Sequence, residues 1–184
     1  MTALKTWKNG LKQFEFLYSF KLALVLWFGL SVVAALKHGT SIYNYYIFQN
    51  SFYHIIAKKN LYLSYPGFDL FLYGPIFTLL IAPFAIFPSA IGSILWVLFN
   101  TAFLFFAIMK LPIQKKWKTA ILILSSHEMM NHSAWFQSNA FVAACIILGF
   151  VYVNKEKEIW ALFFILLATF VKIYGIVGMS FFFF

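Results

Sequence analysis

Between Asp69 and Lys110 the sequence runs forty residues without a charged side chain or a histidine. A helix needs about 20 apolar residues to cross ~30 Å of hydrocarbon, so this interval has the length of two crossings. Pro88-Ser89 offers a turn near its middle. The composition points the same way. Hydrophobic residues make up 63% of the 184 and charged residues 10%, where soluble domains run at about 45–50% and about 25%. A mean hydropathy of +0.85 cannot be hidden in one core, because a chain of this size still leaves about 30% of its surface outside. The expected fold class is therefore all-α, a polytopic integral membrane helical bundle.

Charge-free intervals serve as a ruler for the rest. Residues 17–36 read as the first span, with Lys21 able to snorkel to the surface. Lys5, Lys8 and Lys12 precede it against Glu15, which favours a cytoplasmic N-terminus. An outer loop follows at 37–69, then a helical hairpin at 70–109, whose first arm Pro75 and Pro83 interrupt. Residues 119–136 read as a short or re-entrant segment, 137–154 as a span and 159–184 as the last one. The chain is still apolar at Ser180–Phe184, so it reads as the N-terminal part of a longer protein. Counting crossings puts Lys110, Lys115, Lys116 and Lys118 outside, against the positive-inside tendency. Either 70–88 dips without crossing, or 119–136 is re-entrant and the lysines form an external basic patch.

All fourteen basic residues are lysines, against five acids. In a chain this apolar the excess faces lipid headgroups, so membrane lipids and not nucleic acid are the expected partners. The lone Cys145 lies in an apolar run and forms no internal disulfide. The cytoplasmic (inner) membrane is the expected location.

Polar chemistry collects in a few places. Within the outer loop, Tyr45, Phe48, Phe52, Ile55 and Ile56 recur at helical spacing, with Asn44, Gln49, Asn50 and Ser51 elsewhere around the wheel. That pattern predicts an amphipathic juxtamembrane helix. Asp69 is the only Asp of the chain and sits in the Tyr/Pro-rich run from Tyr62 to Pro75. Ser126-His127-Glu128 and His132 precede Gln137-Ser138-Asn139. His127, Glu128 and His132 lack a further carboxylate or cysteine, so they read as a solvated or proton-linked group rather than a metal site. Gln137 and Asn139 either cap the next helix or bind ligand. Lys172 lies inside the last span, where a cation costs ~2.5–3.5 kcal/mol and so faces a partner or a wet cavity.

The order of these features carries a resemblance. The first span, the aromatic loop helix closing on Leu61-Tyr62, then Tyr73-Gly74-Pro75-Ile76-Phe77 and Ala82–Pro88 come first. Gln137-Ser138-Asn139-Ala140 and Lys172-Ile173-Tyr174-Gly175 follow. Over roughly 40–184 the chain resembles the N-terminal half of the family-87 glycosyltransferases of the GT-C superfamily, which use polyprenyl-phosphate-mannose. The resemblance implies transfer of a mannose-like hexose from a polyprenyl-phosphate donor to a lipid or glycan acceptor at the outer face. It implies no cofactor, the lipid-linked sugar being substrate. The family's general base is an acid early in the first outer loop. The matching position here is Asn44, eighteen residues before Tyr62, and an amide cannot act as a base. Asp69 or Glu128 is then expected to supply the acid, while Lys172, or Lys58 with Lys59, steadies the phosphate. Asn44, Gln137 and Asn139 would bind sugar hydroxyls, and Tyr62 and Tyr73 would line the pocket. The alternative is a non-enzymatic transporter or an inactive fragment, with Lys172, Glu128 and the proline-broken 70–88 forming a path.

Overall fold

A computed structural model describes residues 15–37 and 43–183. The flank carrying Lys5, Lys8 and Lys12 lies outside the described residues. Those described are mainly helical, apart from the 57–76 connection and shorter turns, and contain no strand. After a 3-10 turn at Glu15–Tyr18, helix α1 runs over Phe20–Lys37, with a π turn at Val25–Gly29. Helix α2 is Tyr43–Ile56, α3 Phe77–Ala85 and α4 Ser89–Lys110. Helix α5 is Lys115–Ala134, α6 Asn139–Val153 and α7 Glu158–Val171, and a 3-10 segment, Ile173–Phe182, ends the described chain. Two helices, α1 and α4, are long and apolar enough to cross a membrane.

The first arm of the 70–109 hairpin is the departure that sets the topology. Helix α3 has nine residues, about 13 Å, less than half of what a crossing needs. It therefore turns back at the end where it began. Helix α4 leaves from there and returns the chain to the other end, which residues 15–20 share. Tyr18 meets Trp117 edge-on at 6.1 Å, and the Lys115 ammonium sits 4.4 Å from the Phe20 ring centroid. The 110–118 segment therefore lies at the starting end of α1.

Three further segments differ from expectation. Residues 119–136 are not a short piece, because Lys115–Ala134 is one 20-residue helix, about 30 Å long. The last expected span is broken. Helix α7 ends where Lys172 takes an extended conformation (φ −142°), and the chain then folds back. A Cβ on Gly175 would lie 2.4 Å from the Ala168 carbonyl carbon, so only glycine permits that return. The loop helix α2 forms where the spacing predicts it, but the side it turns toward the protein includes polar residues. Ile55 and Ile56 are exposed, whereas Gln49 and Ser51 are buried with Tyr45 and Phe48. Gln49 donates to the carbonyls of Ala85 (3.0 Å) and Phe87 (2.9 Å) and accepts from the Ser89 hydroxyl (2.6 Å). It serves the backbone groups that the α3–α4 turn leaves unpaired, which would otherwise be orphaned in an apolar setting. Tyr45 adds a hydrogen bond to the Phe84 carbonyl (2.9 Å), and burial pushes its phenol up, keeping it a donor.

The main core lies beneath this end. Phe48, Phe77 and Trp96 meet edge to face, Phe77 and Trp96 at 5.8 Å, and the Trp96 indole donates to the Phe136 carbonyl at 3.1 Å. Phe136 is fully enclosed in a left-handed conformation (φ 51°) at the turn between α5 and α6. A bulky residue is held in that region only where its surroundings over-determine it.

Candidate functional site

Four chain interruptions meet at the end of the bundle where α3 turns back. They are the start of α2, the 69–76 connection, the turn after α5 and the break at Lys172. All but the turn after α5 line an open cleft of about 360 Å³ whose polar lining is Asn44, Asp69, Tyr73, Lys172 and Tyr174. That volume falls within the ~300–1,000 Å³ of small-molecule sites.

Lys172 is positioned by where α7 stops. Its ammonium donates to Asn139 Oδ1 at 2.6 Å and lies 4.9 Å from the Tyr73 ring centroid and 5.6 Å from that of Tyr174. Two aromatic faces and a neutral amide steady the cation without neutralising it. Among the described residues no carboxylate pairs with it. Tyr174 donates to the same Asn139 oxygen at 2.6 Å, and the Asn139 amide nitrogen donates to Gln137 Oε1 at 2.9 Å. Asn139 therefore has its polar atoms committed to holding Lys172 and Tyr174.

Asp69 enters the same cleft from the loop. One carboxylate oxygen accepts the Leu70 backbone N–H at 2.8 Å and the side chain is exposed. Asp69 and Lys172 thus share a hollow without forming an ion pair. Asn44 lines it too, but its amide nitrogen donates to the Trp135 carbonyl at 2.8 Å, tying α2 to the end of α5. Tyr62 stands behind the wall, its hydroxyl donating to the Tyr73 carbonyl at 3.2 Å.

Glu128 lies elsewhere. It borders a separate cavity of about 170 Å³ with Trp27, Met129, His132 and Asn139, and Asn139 reaches the cleft only through its hydrogen bonds to Lys172 and Tyr174. His132 Nε2 accepts the Ala140 backbone N–H at 3.1 Å. That bond serves the start of α6, the capping task for which Gln137 and Asn139 were candidates. Among the described residues no three His, Cys, Asp or Glu side chains cluster. Lys58 and Lys59 follow α2 and do not line the cleft.

Tyr174 was no candidate of its own, although it stands inside the Lys172-Ile173-Tyr174-Gly175 run. What could have found it is that run's position after a cation that must face water. The capping role of His132 left no such signal.

Residues 71–184 match glycosyltransferase family 87. No curated protein and no solved structure matches the chain. The matched stretch contains Tyr73, Glu128, Gln137, Asn139 and Lys172, and it begins just after Asp69. It takes in well over half of the sequence, and on that match the chain belongs to glycosyltransferase family 87.

Proposed function

We propose that the cleft transfers a mannose-like hexose from a polyprenyl-phosphate donor to a hydroxyl of a lipid or glycan acceptor. The observation that carries this reading is the pairing of Asp69 and Lys172 across one hollow, with neither ion neutralised. Asp69 takes the proton from the acceptor hydroxyl as its oxygen attacks the anomeric carbon. The bond from that carbon to the phosphate oxygen breaks, and polyprenyl phosphate leaves with the electron pair. Lys172, held by Asn139, meets the negative charge growing on the phosphate. Tyr73 and Tyr174 offer flat faces to the sugar. In this reaction the charge stabilisation comes from the ammonium, and the lipid-linked sugar is substrate with no separate cofactor.

The same reading makes the protein a multi-pass protein of the cytoplasmic membrane with the cleft outside. Its support is the lysine distribution. Lys21, Lys110, Lys115, Lys116, Lys118, Lys155 and Lys157 gather toward the end remote from the cleft, against Lys37, Lys58, Lys59 and Lys172 toward the cleft. Basic residues in short loops favour the cytoplasmic side.

The test is sugar transfer in membranes supplied with polyprenyl-phosphate-mannose. Asp69→Asn is expected to lower the rate by roughly 10²–10⁴-fold, the usual worth of a general base, while Glu128→Gln keeps most of it. A wild-type rate in Asp69→Asn refutes the assignment. One observation favours the second acid: Glu128 lies inside the family-matched stretch and Asp69 does not. Loss of transfer in Glu128→Gln alone would move the base to the smaller cavity.

A further inference from the structure

The end of the bundle farthest from the cleft carries a group of cations that the transfer reaction does not use. Three ammonium groups there rest on three aromatic rings. Lys115 lies 4.4 Å from the Phe20 centroid, Lys110 5.0 Å from Phe106 and Lys116 5.3 Å from Trp117. Trp117 is itself braced edge-on by Tyr18 at 6.1 Å. A fourth lysine, Lys118, turns back and donates to the Met109 carbonyl at 2.7 Å. That bond satisfies an end-of-helix acceptor of α4 and closes the turn that presents Lys110 and Lys115.

Two facts point to what these cations meet. Among the described residues none of Lys110, Lys115 and Lys116 has a carboxylate partner. Like charges on one short turn repel, so the arrangement favours an anion. The surface beside them is apolar: Trp117 is 49% exposed and Ile113 39%. Exposed ammoniums above exposed aromatic and aliphatic side chains form a boundary between water and hydrocarbon, with the charge on the wet side.

We propose that Lys110, Lys115 and Lys116 bind the phosphodiester headgroup of an anionic phospholipid, with Trp117 and Ile113 against its glycerol and upper acyl region. The rings fix each ammonium in place, so less side-chain freedom is lost on binding than by lysines free in solution. The site is independent of the cleft and of the sugar-transfer reading.

The experiment is tryptophan quenching of the protein reconstituted in phosphatidylcholine vesicles doped with brominated phosphatidylglycerol or brominated phosphatidylcholine. Subtracting the signal of a Trp117→Phe variant isolates Trp117. At equal doping the anionic probe should quench Trp117 more strongly. A lysine near an anionic surface is worth roughly fivefold in binding, so Lys115→Gln should cut the preference about fivefold. The triple change Lys110→Gln, Lys115→Gln and Lys116→Gln should bring it to about one. If the triple variant does not reconstitute, the single one decides. Equal quenching by both probes overturns the proposal, as expected if the patch serves an acidic protein partner. A preference surviving in the lysine variants also overturns it. So does its abolition by inorganic phosphate, which would mark a site for a free anion.

Discussion

Gly74→Ala tests the geometry on which the cleft depends. The 69–76 connection crosses the end of α7 so closely that a Cβ on Gly74 would stand 1.8 Å from the Phe170 carbonyl oxygen and 3.0 Å from its carbon. Carbon and oxygen settle no closer than about 3.3 Å, so the connection must retreat by roughly 1.5 Å. Its hydrogen bond from the Gly74 N–H to the Val171 carbonyl, 3.3 Å long, cannot survive that shift. Overpacking costs about 1–3 kcal/mol and the lost bond about 0.5–1.5 kcal/mol. The expected destabilisation is therefore about 2–4 kcal/mol. At roughly 2–4 °C per kcal/mol for a chain of this length, the melting temperature in detergent should fall by about 5–15 °C. Sugar transfer should fall as well, because Tyr73 moves with Gly74 and its ring lies 4.9 Å from the Lys172 ammonium. The control is Gly29→Ala, where a Cβ meets nothing within 4 Å. Inside a helix that change should stabilise by up to about 1 kcal/mol. The same substitution thus has opposite signs at two sites. A Gly74→Ala protein that melts with the wild type would refute the wedging of this connection against α7.

Lys172→Met is expected to raise the KM for the polyprenyl-phosphate sugar at least tenfold while membrane insertion is unchanged; unaltered donor affinity would leave Lys172 a structural cation. Asn139→Asp sets a carboxylate against the ammonium now 2.6 Å from Oδ1, so donor binding should weaken by a similar factor and recover in part at high salt; no change in donor KM would free Asn139 from a positioning role. His54 rests on Tyr65 with ring centroids 4.0 Å apart, and burial, aided by Lys59, holds it below the ordinary imidazole value of 6.5. Its contribution to stability is complete above pH 6.5 and is lost as the pH falls through the lowered folded value. Hydrogen exchange at the end of α2 should accordingly accelerate in acid and lose that dependence in His54→Gln; acid acceleration persisting in the variant would assign it to another group.

Spacing alone could say which side chains share a helix face but not what that face meets. Apolar periodicity in α2 marked an amphipathic helix but could not single out Gln49, which is buried because its partners are the carbonyls of Ala85 and Phe87, 36 and 38 residues away. A polar residue that satisfies a distant turn leaves no local signal. Hydropathy likewise reads 159–184 as one span, since it does not register that Lys172 turns the backbone out of the helix and Gly175 lets it return. The cost of a cation at depth did carry over, because it holds whatever the tertiary partners are. Lys172 lies in the cleft with Asp69, Asn44 and Tyr73. Glu128 had histidines and amides beside it in sequence, but it sits on a part of α5 that faces Trp27 rather than the cleft.

The position of the cleft follows from backbone chemistry before any question of catalysis. Non-helical backbone at a membrane is tolerated only where it is buried in protein or lines a wet cavity. Four interruptions gathered at one level therefore demand both polar caps and water. The caps can be identified: Asn44 serves the Trp135 carbonyl, Tyr62 the Tyr73 carbonyl and the Gly74 N–H the Val171 carbonyl. Once these are assigned to holding the chain together, the polar residues in and behind the cleft separate into two kinds. Asn44 has its amide nitrogen, and Asn139 both amide atoms, engaged with the protein, so changing them perturbs geometry first. Asp69 keeps one carboxylate oxygen without a protein partner, and Lys172 keeps an uncompensated charge. Chemistry requires groups whose charge is not already answered, and in this cleft those are the two ions.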